Sequence, residues 1–286
     1  MMGTIKKNKS DNKRMILLSI LTLFILCSIP EYIEFLIIKT DQTFLAENVL
    51  CKLFIIAVVL AVLRARRESI KSIGFKSYGF LRSGALGLSL GILSFTISYA
   101  VEFIVLRSMG KAPSLQFFIS NFALQNQNVT GVSIAAIAIC VAGNAINVLA
   151  EEGLFRGLFL HLGQTTFTQC KSNLFQAFLF GVWHIVMVVG WVIDGSMNIP
   201  TAVAMAIGYV LLAGILGYEW GMCVALTGTL WAGIFEHFFN NLLTNTVHVV
   251  TSTGVDELQI LRIVLSNILS LAFVILLTKR KNSRAM

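Results

Sequence analysis

"GVSIAAIAICVAGNAINVLAEEGLFRGLFL", residues 131–160, decides the fold. The run is long and apolar enough to cross a bilayer as a helix, because a helix satisfies its own backbone polar groups in lipid. Near its end, however, stand three ionisable side chains, Glu151, Glu152 and Arg156. Charge at that depth is costly, so such groups face a protein interior or a wet cavity. Helical spacing sorts them. Asn144, Asn147, Glu151 and Phe155 recur at three- and four-residue steps and share one face. Glu152 and Arg156 are four apart, the spacing at which a Glu pairs with a following base. Glu151 is then expected to stand on the Asn-lined face without a local counter-ion, and pairing only one of two carboxylates is a way to make a base.

The rest of the chain reads like this run. Of 286 residues, 56% are hydrophobic and only 13% charged, against about 25% in a soluble domain; mean hydropathy is +0.81. Short alternating segments of the kind that build a membrane β-barrel are not seen, so an all-α, polytopic membrane bundle is expected. Eight spans are expected near 15–37, 44–63, 84–106, 131–160, 173–193, 201–217, 221–245 and 259–278. The first is interrupted by Pro30, Glu31 and Glu34, so its far end should be irregular. Its basic start resembles a signal peptide. No A-x-A-like site follows and no small residue precedes Cys27, so it reads as a retained span. The five cysteines form no CxxC pair and lie in or beside apolar runs, where buried, inert thiols are expected.

Charge gives orientation. Lys6, Lys7, Lys9, Lys13 and Arg14 precede the first span; Arg64, Arg66, Arg67, Lys71, Lys76 and Arg82 separate the second and third. Lys171 follows the fourth, and Lys279, Arg280, Lys281 and Arg284 follow the eighth. The opposite side holds Lys39, Arg107, Lys111 and Arg262. Basic loops stay cytoplasmic, so both termini are expected inside a plasma membrane of bacterial type. This distribution accounts for the +8 net charge without nucleic acid. The loop 107–130 mixes aromatics with Gln and Asn and reads equally as an interfacial amphipathic piece or a polar loop. One membrane domain, 1–286, is expected, with basic tails at 1–14 and 279–286 and a core at 145–245 holding the polar motifs.

Histidine placement adds to the first cluster. His184 falls mid-span in "FGVWHIVMV", and His237 in "GIFEHFFNNLL". Histidine is a general acid–base, metal ligand or donor near neutral pH. His237 and Asn241 are four apart on one face, where imidazole and amide together can hold an oxyanion. Glu236 and Asn240 are offset from that face and are expected to serve packing or capping. His161 and His248 lie near span ends, where an interfacial role is the default. The Glu–Glu–Arg cluster could alternatively clamp helices or relay protons. The sequence contains no HExxH, G-x-S-x-G, P-loop or GxGxxG motif.

These motifs resemble those of the CPBP family of intramembrane proteases, which includes the CAAX endopeptidases and bacterial Abi proteins. Glu-Glu-x-x-x-Arg matches "EEGLFR" (Glu151, Glu152, Arg156), Phe-x-x-x-His matches "FGVWH" (Phe180, His184), and His-x-x-x-Asn matches "HFFNN" (His237, Asn241). The resemblance implies an eight-helix bundle that cleaves peptide bonds of a membrane-associated substrate, prenylated or not. It implies that Glu151 and His184 activate water, that His237 and Asn241 stabilise the oxyanion, and that Glu152 and Arg156 support the site. A zinc ion held by Glu151, His184 and His237 and a metal-free mechanism both stay open. Two other functions stay in view: a non-catalytic immunity or regulatory protein of the bacteriocin self-protection type, and a transporter. No inverted repeat favours the latter.

Overall fold

The structure is a computed structural model that describes residues 2–42, 47–119 and 134–285. In chain order the elements are α1 (Met2–Ile33), a π-helical turn (Glu34–Ile38), a short 3-10 turn (Thr40–Gln42), α2 (Val49–Ala65), α3 (Phe80–Ser108) and β1 (Ser114–Phe117). There follow α4 (Ile134–Glu151), a π-helix (Glu152–Phe159), α5 (Leu160–Gln164), α6 (Gln169–Trp183), α7 (Ile185–Ile193) and α8 (Ile199–Thr227). The last are α9 (Trp231–Thr246), β2 (Val247–Val250) and α10 (Gln259–Ala285). Among the described residues six helices are long and apolar enough to cross a membrane. The protein is an all-α, multi-pass membrane protein. The helices α2 and α9, at 17 and 16 residues, fall short of that length.

The described residues form two compact units. The first comprises Met1–Ile38, Leu50–Tyr78 and Ala150–Leu230. Its core is aromatic: Phe155 meets Phe24, Phe159, Phe180 and Trp183 edge-on, with ring centroids 5.1–6.4 Å apart. Within it α6 packs on α8 at small residues, which in a membrane let backbones approach closely. A Cβ at Gly181 would run into the Val210 carbonyl, and one at Gly221 into the Asn173 amide. That closeness lets Asn173 Nδ2 reach the Tyr218 carbonyl and Gln176 Nε2 the Gly217 carbonyl, each at 2.8 Å.

The second unit comprises Lys39–Val49, Gly79–Leu149 and Trp231–Met286. Here α3 lays Gly84, Gly87 and Gly91 against Phe235, Ala232 and Phe239 of α9. Asn240 donates to Asn267 Oδ1 at 3.1 Å, and Ser270 donates to the Glu236 carboxylate. Glu236 and Asn240 thus serve helix packing, as expected, and fix the rotation of α9 about its axis. β1 and β2 pair antiparallel with Ser114 opposite Val250 and Phe117 opposite Val247. This ribbon answers the open question about the loop after Arg107 as far as Ile119; the remainder to 130 lies outside the described residues, as do 44–46 and 131–133 at the expected starts of spans two and four.

One expectation needs correction, and two others gain structural detail. The sixth and seventh spans do not divide near residue 219: α8 runs through it, burying Glu219 and Trp220, and ends at Thr227 with Gly228 left-handed at φ 73°. A Gly without Cβ strain is the stop signal there. His248 is buried on β2, stacked on Phe118 at 3.8 Å with Nδ1 3.2 Å from Asp256. Arg262, expected on the non-cytoplasmic side, is buried near the start of α10 and joins Asp256 to Glu102. Buried carboxylates and guanidinium satisfy one another where water is excluded. The far end of the first helix is irregular as expected, with Pro30 followed by the π-helical turn. Four cysteines are buried and Cys170 is exposed.

Candidate functional site

The "EEGLFR" stretch falls where α4 passes into the π-helix. A π-helix makes i→i+5 bonds and is found most often as a single insertion at functional sites. Glu151 is the last α-helical residue, so the α-periodic face it shares with Asn144 and Asn147 stops there and does not extend to Phe155. Asn144 turns its amide back to the Cys140 carbonyl of its own helix.

In the first unit the expected Glu152–Arg156 pair is present, with Arg156 Nη2 3.2 Å from Glu152 Oε1 and both side chains buried. The guanidinium also lies 3.9 Å from the Phe180 ring centroid and 4.7 Å from that of Trp220. Aromatic faces stabilise a desolvated cation by about 2 kcal/mol or more, so Phe180 of the second motif and Trp220 of α8 hold the Arg of the first.

Glu151 differs from the expectation. Its Oε1 lies 3.0 Å from Lys52 Nζ, and the same ammonium lies 3.1 Å from Glu31 Oε2. All three side chains are buried. Sequence spacing looks only along one helix, whereas this counter-ion comes from α2. The signal was present nonetheless: Lys52 is the one cation in the apolar run 49–63, and Glu31 and Glu34 break the first span three residues apart. Glu34 explains why Lys52 is where it is. Its carboxylate accepts the backbone N–H of Leu50 at 3.0 Å and that of Cys51. These are among the first four donors of α2, which have no partner within the helix, and the helix N-terminus favours a negative charge.

His184 is not inside a continuous helix. It occupies the turn between α6 and α7, with φ −79° and ψ −5°, where it ends one helix and begins the next. Its Nδ1 is 2.8 Å from the Phe180 carbonyl. A carbonyl only accepts, so Nδ1 carries the hydrogen and Nε2 is the basic nitrogen of the neutral ring. His184 also meets the Phe180 ring edge-on at 4.7 Å. Lys52 connects the two parts: its ammonium lies 5.2 Å from the centroid of Trp183, one residue before His184.

His237 and Asn241 belong to the second unit and follow one another on α9, His237 buried and Asn241 half-buried. His161 pairs with Glu68 at 2.7 Å beside Arg66, a surface arrangement. Among the described residues no three His, Cys, Asp or Glu side chains gather as a metal-ligand set.

Fold and site together define a multi-pass α-helical membrane protein with a buried carboxylate–cation centre in its first unit. Residues 133–243 match the family model described as Rce1-like, type II CAAX prenyl endopeptidase. That stretch contains all three motifs, and over it the resemblance to CAAX-type proteases holds. No match to a curated protein was found.

Proposed function

We propose that this protein is an intramembrane endopeptidase whose substrate is a membrane-associated peptide, cleaved by attack of water. Glu151 takes a proton from a water oriented with His184, and the water oxygen attacks the scissile carbonyl carbon. His237 and Asn241 of α9 carry the oxyanion-stabilising role that the resemblance to CAAX-type proteases implies, and the proton passes to the departing amine as the C–N bond breaks. Glu152 and Arg156 support the backbone that carries Glu151. The observation that carries this reading is the endopeptidase family match over 133–243, the stretch that contains every residue named. The helix break at His184 and its ring hydrogen bond to the Phe180 carbonyl support it further.

The test uses protein purified and reconstituted in liposomes with a quenched fluorogenic peptide ending in a CAAX sequence, once farnesylated and once not. Wild type cleaves at least one form; Glu151→Ala and His184→Ala each lower kcat by about 1,000-fold or more while keeping the wild-type melting profile, in line with loss of a general base plus the positioning it supplies. Cleavage of only the farnesylated peptide assigns a prenyl-protein substrate. Wild-type rates in both variants would overturn the mechanism, and no cleavage of either peptide by wild type would favour a non-catalytic immunity role.

A further inference from the structure

We propose that Lys52 is a positioning residue of this site: it clamps the Glu151 carboxylate for proton transfer, and Glu31 and Glu34 hold it in place. The inference rests on the endopeptidase reading and extends it to residues outside the stretch that matches the family. Three observations, independent of that match, place the ammonium there. Lys52 Nζ bridges Glu31 and Glu151 at 3.1 and 3.0 Å. It lies over Trp183, next to His184. And Glu34 fixes the first turn of α2 through two backbone N–H groups, one and two residues before Lys52.

A lysine buried this deeply is not a generic structural choice. Replacing a buried ion pair by packed apolar groups is often neutral or stabilising, so stability alone gives no reason to keep three charges at this point in the bundle. Function gives one. A general base must be ionised and aimed within a fraction of an ångström. An ammonium on one carboxylate oxygen fixes the rotation of the Glu151 carboxylate and sets the direction of the other oxygen. Glu31 also holds the ammonium, through both of its carboxylate oxygens, at 3.2 and 3.1 Å. Glu31 and Glu34 sit three residues apart across the end of α1, one holding the side chain of Lys52 and the other the backbone before it.

The experiment uses the same liposomes and the peptide that wild type cleaves. Lys52→Met should lower kcat by about 100-fold with KM changed less than about threefold, the cost of a misplaced catalytic group, and Lys52→Arg should recover most of the loss. Lys52→Met leaves two carboxylates facing each other and could unfold the protein. The double variant Lys52→Met/Glu31→Gln removes one charge of each sign, keeps the net charge of the cluster, and should show the same loss of kcat. In a Glu151→Gln background, Lys52→Met should cost nothing further, since coupled groups are non-additive. If Glu151→Gln is inactive but the double variant turns over at the wild-type rate, the clamp is wrong and the endopeptidase reading stands. If Glu151→Gln turns over like wild type, both fall.

Discussion

At the scale of single residues, the two adjacent glutamates are held in different ways. Glu151→Gln leaves Lys52 with the Glu31 carboxylate, because that ammonium already bridges both. Glu152→Gln removes the carboxylate paired with Arg156 and leaves the guanidinium against the rings of Phe180 and Trp220. Breaking a buried pair by removing one partner costs about 3–5 kcal/mol. Glu152→Gln should therefore lower the thermal midpoint in detergent clearly more than Glu151→Gln, whose effect should fall on turnover. Equal midpoints for the two variants would remove the distinction. The sequence showed the Glu152–Arg156 pair because both lie on one helix, four residues apart. It did not show the Lys52–Glu151 pair, because no spacing rule connects residues on separate helices.

At the scale of elements, helix interruptions fall at the residues proposed to act. The π-helix begins immediately after Glu151, and the α6–α7 break falls on His184 itself. Neither is legible in a hydropathy profile, since both segments read as unbroken apolar runs. The β1–β2 ribbon is a third such element, and beside it Glu257 accepts hydrogen bonds from Lys111 and from Thr253 and Thr251. Those bonds, the one from Lys111 foremost, hold the Glu257 carboxyl down to about 2 from its ordinary 4.5. A carboxyl depressed in the folded state contributes stability that is complete above 4.5 and lost as pH falls towards 2. Wild type should therefore melt higher than Glu257→Gln near neutral pH, and the two melting curves should converge by about pH 2. A gap that persists at that pH would assign the difference to something other than the carboxylate.

At the scale of the whole molecule, the distribution of Lys and Arg gives an orientation that one side chain can test. Cys170 is exposed and the other four cysteines are buried, and Lys171 beside it lies on the side expected to be cytoplasmic. A membrane-impermeant maleimide should label wild type in inverted vesicles and not in intact cells, and Cys170→Ser should abolish the labelling. Labelling of intact cells would reverse the orientation. By itself the sequence determined that the chain is an all-α membrane protein, because burying an apolar backbone in lipid leaves no other economical solution for runs of this length. It also determined which polar residues are too costly in lipid to be accidental, since Glu151, Glu152, Arg156, His184, His237 and Asn241 stand out against apolar neighbours. What only the tertiary structure decided is who partners whom: that Lys52 of α2 holds Glu151, that Phe180 and Trp220 enclose Arg156, and that His248 and Arg262 both meet the buried Asp256. Pairing across helices depends on packing angles and helix rotation, which are properties of the folded bundle and not of any single helix's periodicity.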